Sequence, residues 1–292
     1  MLLRVALEIA DRIVAGLPSR LAYGLADLAG DAWYRLAPAR RRLVAANLAR
    51  VCAATGRPAS GPTFSALVRA AFRNHARYYV ELLRAPHYDL ERMDRIVTIP
   101  QWSTFEGPLR GGPSIFVSAH VGNFEPFGSF LASRGIRPLS PIEEIEPKQL
   151  FEFLASKRGG GHVDLVTLRN ARRALTARLR EGGVVGIIGD RDLTGDGQRV
   201  EMFGHPITIP TGAAFLAITH RATVIAGRCL RTGPDRFVGE GELIQLPDSG
   251  DRRADIATLT ARIAGRFERD IGDAPEQWWG AFQPFWPDLG AG

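Results

Sequence analysis

Apolar positions at the start of the chain recur at steps of three and four. Leu3, Leu7, Ala10, Val14 and Leu17 make one stripe, with Arg4, Glu8, Asp11 and Arg12 among them. That spacing predicts an amphipathic helix, packed on the core or lying in a membrane interface. The same charges interrupt the run well short of the ~20 apolar residues a membrane span needs, and no small-residue cleavage site of a secretory signal follows. Pro38 opens a second helix and Pro62 a third, since proline is tolerated in a first helical turn. On the third, Phe64, Leu67, Val68, Ala71, Phe72, Tyr78, Tyr79 and Leu82 form a stripe that also carries His75. A histidine on such a face reads as a packed core residue.

From residue 95 short apolar runs alternate with helical stretches. Runs at 96–99, 114–118, 163–168, 184–189, 223–227 and 236–239 predict strands, and 124–134, 147–157, 170–181, 211–219 and 255–271 predict helices. Such alternation predicts an α/β fold, a sheet covered by helices on both faces. With no linker or repeat, residues 1–292 read as a single domain, helical over 1–90 with an α/β core over 91–292.

Charge and cysteine content narrow the partners. The net charge is +6, almost wholly from arginine, since Lys148 and Lys157 are the lysines. A positive balance suits phospholipid headgroups or a phosphorylated co-substrate. Nucleic acid is not expected, because the arginines are dispersed and no recognition motif is present. Cys52 and Cys229 are too few for a disulfide framework and lack metal-ligand spacing, so a reducing compartment is the simpler reading.

Candidate chemistry gathers at two predicted strand ends, where ligand sites of open α/β sheets lie. In "IFVSAHVGNFEPFG", His120 follows the strand, Gly122 permits a tight turn and Glu125 opens the next helix. The turn is expected to fold Glu125 onto His120 Nδ1, leaving Nε2 free as a general base; a histidine that merely caps the turn is the alternative. Asn123 is expected to fix that turn. In "GDRDLTGDGQRVEMFG", Asp190, Arg191 and Asp192 follow the 184–189 strand as a substrate-binding block or a plain ion-pair cluster. No further acidic or histidine pair follows at ligand spacing, so no metal is expected. Gly159, Gly160 and Gly161 read as a flexible loop flanked by Lys157 and Arg158.

"HVGNFE" fits the histidine–four–acid signature of glycerolipid acyltransferases, and "SAHVGNFEPFG" resembles their lipid A late-acyltransferase branch. "LAYGLADLAGDAWYRLAPARRRLVAANLARV", "VRAAFRNHARYYVELLR" and the tail "APEQWWGAFQPFW" agree in order, so the resemblance covers nearly the whole chain. "DRDLTGDG" and the tryptophan-rich tail are most similar to the phosphatidylinositol mannoside acyltransferases. Those enzymes carry aspartate where this chain has Glu125, whereas glutamate is usual in the lipid A branch.

The resemblance implies a central mixed sheet flanked by helices and an O-acyltransferase using an acyl thioester. It implies that His120 deprotonates an acceptor hydroxyl, that Glu125 orients the histidine, and that backbone N–H groups at Gly122 and Asn123 receive the oxyanion. Lys157 and Arg158 would then meet donor phosphate, Arg191 phosphate, Asp192 a sugar hydroxyl, and Glu201 the histidine or acceptor. No cofactor is implied beyond acyl-CoA as co-substrate. The implied partners are a glycolipid or phospholipid acceptor, foremost a phosphatidylinositol mannoside, and an anionic membrane surface. A peripheral location on the cytoplasmic face of the cell membrane follows. The alternatives are an enzyme that takes its acyl group from acyl carrier protein, with a lipid A precursor or lysophospholipid as acceptor, and a thioester hydrolase.

Overall fold

Proline and glycine divide the N-terminal third. The computed structural model describes residues 2–193 and 195–289. Helix α1 (Leu2–Gly16) ends before Pro18, which lacks an N–H and cannot continue it. Helices α2 (Ser19–Leu36), α3 (Pro38–Ala54) and α4 (Gly61–Arg84) follow. Gly30 lets α2 approach α4 closely, because a Cβ there would lie 2.7 Å from Arg73 Cα. Beside that contact, Asp31 accepts hydrogen bonds from Arg69 and Arg73, and Asp27 from Arg77.

The expected alternation then appears as α5 (Leu90–Ile96), β1 (Val97–Thr98), α6 (Trp102–Gly111), β2 (Ser114–Ser118), α7 (Phe124–Ser133), β3 (Leu139–Ile142), α8 (Lys148–Lys157), β4 (Asp164–Thr167), α9 (Leu168–Arg180) and β5 (Val184–Ile188). The hairpin β6 (Gln198–Met202) and β7 (His205–Ile209) leads to α10 (Gly212–His220), β8 (Thr223–Gly233), β9 (Arg236–Ile244) and α11 (Arg252–Asp273). Among these, α5, α6, β3 and the β6–β7 hairpin are additions to the elements read from periodicity. Helix α6 contains Pro108 and β3 is the short "LSPI", so proline masks both.

The main sheet has seven strands in the order β1-β9-β8-β2-β5-β3-β4, parallel throughout except for the β8–β9 pair. This is the mixed, helix-flanked α/β sheet that the sequence led us to expect. The helical N-terminal region shares its core: Leu48 and Val51 of α3 and Phe72 of α4 are buried in one cluster with Val117, Val185 and Phe267. Strands β2 and β5 lie at the centre in parallel register, Ser118 opposite Ile188. Both carboxyl ends therefore open at the same level.

Candidate active site

The register of β2 and β5 assembles the site. His120 lies two residues beyond Ser118 and Asp190 two beyond Ile188, so the pairing that sets those strand ends together brings the two side chains together. Asp190, fully buried, accepts a hydrogen bond from His120 Nδ1 and, at 3.0 Å, one from the His120 backbone N–H. The Trp278 indole N–H donates to the same carboxylate at 3.3 Å. Burial alone would raise the Asp190 pKa, but the facing His120 and these hydrogen bonds outweigh it and hold the carboxyl below its ordinary value. The carboxylate is charged, and His120 Nε2 is left for chemistry.

This geometry corrects the expected pairing. The carboxylate on His120 Nδ1 is that of Asp190, not that of Glu125. Glu125, in the first turn of α7, is buried with Oε1 3.2 Å from Arg158 Nε and accepts from the Tyr78 hydroxyl at 3.3 Å. Its helical position aims it at α4 and the end of α8, not back across the turn.

The turn itself is tightly stitched. Gly122 has φ +69, and a Cβ there would collide with the Cys229 carbonyl, so only glycine fits. The Gly122 N–H donates to Gln277 O at 2.9 Å and the Asn123 N–H to Cys229 O at 2.7 Å. Both amides expected to receive an oxyanion are thus already committed to the fold, and that expectation is withdrawn. Asn123 caps α7, accepting at Oδ1 from the Glu125 N–H at 3.0 Å, which agrees with a turn-fixing role.

Three spaces meet here. An open groove is bordered by His120, Tyr79, Ile145, Leu168, Arg191 and Trp279. It shares Phe124, Ser140, Arg158 and Ile188 with a narrow apolar cleft, which runs between Phe127, Leu131, Val163 and Gly186. On the other side of Asp190 a second open groove runs past Arg191, Asp192, Thr208 and Gln283. Trp279 stands edge-on to the His120 ring at 4.5 Å and stacks on Tyr78 at 5.0 Å.

The remaining candidates divide. Arg158 lies on the wall of both groove and cleft, whereas Lys157 is turned to α1, its Nζ 2.7 Å from Asp11 Oδ2. Arg191 borders both grooves and stands 3.6 Å from Glu143. Asp192 organises its own loop, accepting from the Gly195 and Gly197 N–H groups at 3.0 Å each. Glu201 is exposed on β6, opposite Pro206, and borders neither groove, so it is not the group that supports His120. Among the described residues, no cluster of histidine, cysteine, aspartate or glutamate is arranged to hold a metal. His75 is packed among Trp33, Phe282 and Trp279, as its place on the apolar stripe implies.

Tyr78, read from sequence as part of an apolar stripe, shapes the site together with Trp278 and Trp279 of the tail. The signal for Asp190 was present in the sequence: it follows its apolar run as closely as His120 follows its own.

Known proteins resemble this chain along most of its length. The profile of the family described as bacterial lipid A biosynthesis acyltransferase matches residues 5–286. A phosphatidylinositol mannoside acyltransferase of Mycobacterium tuberculosis (strain ATCC 25618 / H37Rv) is 30% identical over 250 residues, covering 82% of this chain and 75% of that protein. One from Mycolicibacterium smegmatis is 27% identical over 285 residues, covering 94% and 88%. With its site at the carboxyl ends of two central strands and a match over nearly its full length, the chain belongs to the bacterial lipid A biosynthesis acyltransferase family.

Proposed function

We propose that this acyltransferase moves a fatty acyl group from acyl-CoA to a hydroxyl of a glycolipid of the phosphatidylinositol mannoside class. The observation that carries the reading is a histidine oriented by a buried carboxylate where an open groove meets an apolar cleft. The names of the mycobacterial relatives support the acceptor class.

His120 Nε2 takes the proton of the acceptor hydroxyl as its oxygen attacks the thioester carbonyl carbon. The carbon–sulfur bond then breaks, and the imidazolium returns its proton to the departing thiolate. Asp190 holds the ring in the tautomer with Nδ1 protonated and stabilises the transient positive charge. The apolar cleft takes the acyl tail, and Arg191, at the junction of the grooves, meets phosphate. The chemistry needs no cofactor beyond the co-substrate.

A glycolipid acceptor resides in a bilayer, and the N-terminal helices suit one. Ile9 and Ile13 on α1 and Leu21, Leu25 and Leu28 on α2 are exposed, Leu28 at 66%. In each helix they recur at helical spacing, which suits insertion into a lipid interface. They are not the stripe expected from sequence: Leu7, Val14 and Leu17 are half-buried, and Asp11 between them is buried. No helix among the described residues is long and apolar enough to cross a membrane. A peripheral position on the cytoplasmic face of the membrane fits these features.

The test is coenzyme A release and product formation by purified protein with palmitoyl-CoA, anionic vesicles and a phosphatidylinositol mannoside. Acceptor-dependent release with an acylated product is expected, and it should vanish in His120→Ala. Turnover restricted to acyl carrier protein thioesters refutes the donor. Thioester loss that the acceptor neither raises nor captures identifies a hydrolase.

A further inference from the structure

The His120 turn rests on a second buried charge pair, which does not line the groove. Glu81 of α4 and Arg231 of β8 are 5% and 7% exposed. The guanidinium clasps both carboxylate oxygens, with Nη2 2.7 Å from Oε2, and its Nη1 donates to Asn74 Oδ1 at 2.6 Å. The Tyr23 hydroxyl adds a hydrogen bond to Glu81 at 2.9 Å. Burying two charges carries a large desolvation cost, and such a pair is weak evidence of a stabilising role. What it fixes is more informative.

Glu81 Oε2 accepts from Asn123 Nδ2 at 2.6 Å. The other end of that amide is set by the Glu125 N–H, which demands an oxygen. The amide therefore has one orientation, and the turn is pinned through it to α4. The other two supports of the turn also converge on Arg231. The Cys229 carbonyl, two residues away on β8, holds the Asn123 N–H. Gln277, whose carbonyl holds the Gly122 N–H, pairs its side-chain amide with the Arg231 backbone in both directions, at 2.9 and 3.0 Å. One node thus gathers α4, β8 and the tail, the three segments that grip residues 121–123.

We propose that Glu81 is a positioning residue for acyl transfer, acting through Asn123 to keep the His120 ring on Asp190 with Nε2 in the groove. This rests on the acyl-transfer reading above. A displacement of about 1 Å at a reacting group suffices for about 100-fold in rate, so the pair governs turnover without touching substrate.

Asn123→Asp sets two carboxylates against each other at this contact. The double variant Glu81→Gln/Asn123→Asp restores a donor and an acceptor and returns one carboxylate to the wall beside Arg231. Asn123→Asp should lower kcat about 100-fold with KM for the acyl donor changed less than about 3-fold, and the double variant should recover to within about 10-fold of wild type. In parallel, histidine-selective nitrogen-15 labelling reads the Nδ1 proton of His120, assigned by its loss in His120→Gln. It should broaden or vanish in Asn123→Asp and return in the double variant. Because this readout needs no turnover, an inert wild type sinks the acyl-transfer reading and leaves the resonance to decide the positioning role. Thermal midpoints establish folding. If Asn123→Asp does not fold, Asn123→Ser replaces it, keeping an oxygen for the Glu125 N–H but too short to reach Glu81. A folded Asn123 variant with native kcat and an unchanged resonance overturns the proposal. So does a folded double variant that recovers neither.

Discussion

Two carboxylates flank the same turn, and burial does not distinguish them: Asp190 is 0% exposed and Glu125 3%. Their partners do. Asp190 faces an imidazole, which can accept a proton and give it back, so the fixed charge of the carboxylate meets a charge that comes and goes. Glu125 faces a guanidinium, which keeps its proton, so its charge is neutralised once and for all. One pair is suited to moving charge, the other to holding a wall in place. The choice of base, not depth in the protein, separates chemistry from scaffolding here.

The comparison breaks first at Asp190. Asp190→Asn keeps the shape but favours the wrong tautomer, and kcat should fall about 1000-fold or more at pH 7 with the fold intact. A loss below about 10-fold would return the orienting role to another group.

Glu125→Gln should invert that profile. It leaves Arg158, half-buried on the groove wall, without its counter-charge, so the expected cost is stability, about 1–3 kcal/mol by denaturant unfolding. The kcat of the folded fraction should fall less than about 10-fold. Equal losses of turnover in Glu125→Gln and Asp190→Asn would mean that the two carboxylates act as one unit.

A smaller, pH-dependent effect sharpens the same point. His75 is packed among aromatic rings with no carboxylate facing it among the described residues, and burial, helped by Arg40, lowers its pKa to about 4. Between that value and 6.5 the unfolded chain binds more protons than the folded one. Stability should therefore decline as pH falls from 6.5 towards 4 and level off below, by up to about 3 kcal/mol from this residue. His75→Phe should remove that part of the slope, as read from urea midpoints across the pH range. An unchanged slope would show that His75 finds a counter-charge after all.

Much of the framework was legible because it is periodic. The stripe on α4 repeats at the helical period, and Val68, Ala71, Phe72, Tyr78 and Leu82 of it are buried, while Tyr79 is exposed. His120 was legible from its local setting, a glycine turn after a buried strand. Its partner was not, because the contact spans 70 residues and depends on which strands become neighbours. Local sequence offered Glu125 instead, five residues away, but the helix turns that side chain towards Arg158. Glu81 was hidden for a related reason: it sits beside Leu82 on an amphipathic helix, and the charge facing it comes from 150 residues downstream.

The clamp on the turn by residues 277–279 has a consequence in time. During synthesis the strands that carry His120 and Asp190 leave the ribosome well before Gln277 and Trp279. Until those residues arrive, the Gly122 N–H and the His120 carbonyl lack the partners they have in the finished protein, and Asp190 lacks the Trp278 indole. The nascent chain therefore holds a complete set of reacting groups without the brace that aims them. The groups that react are therefore encoded early in the chain, and the contacts that aim them are encoded last.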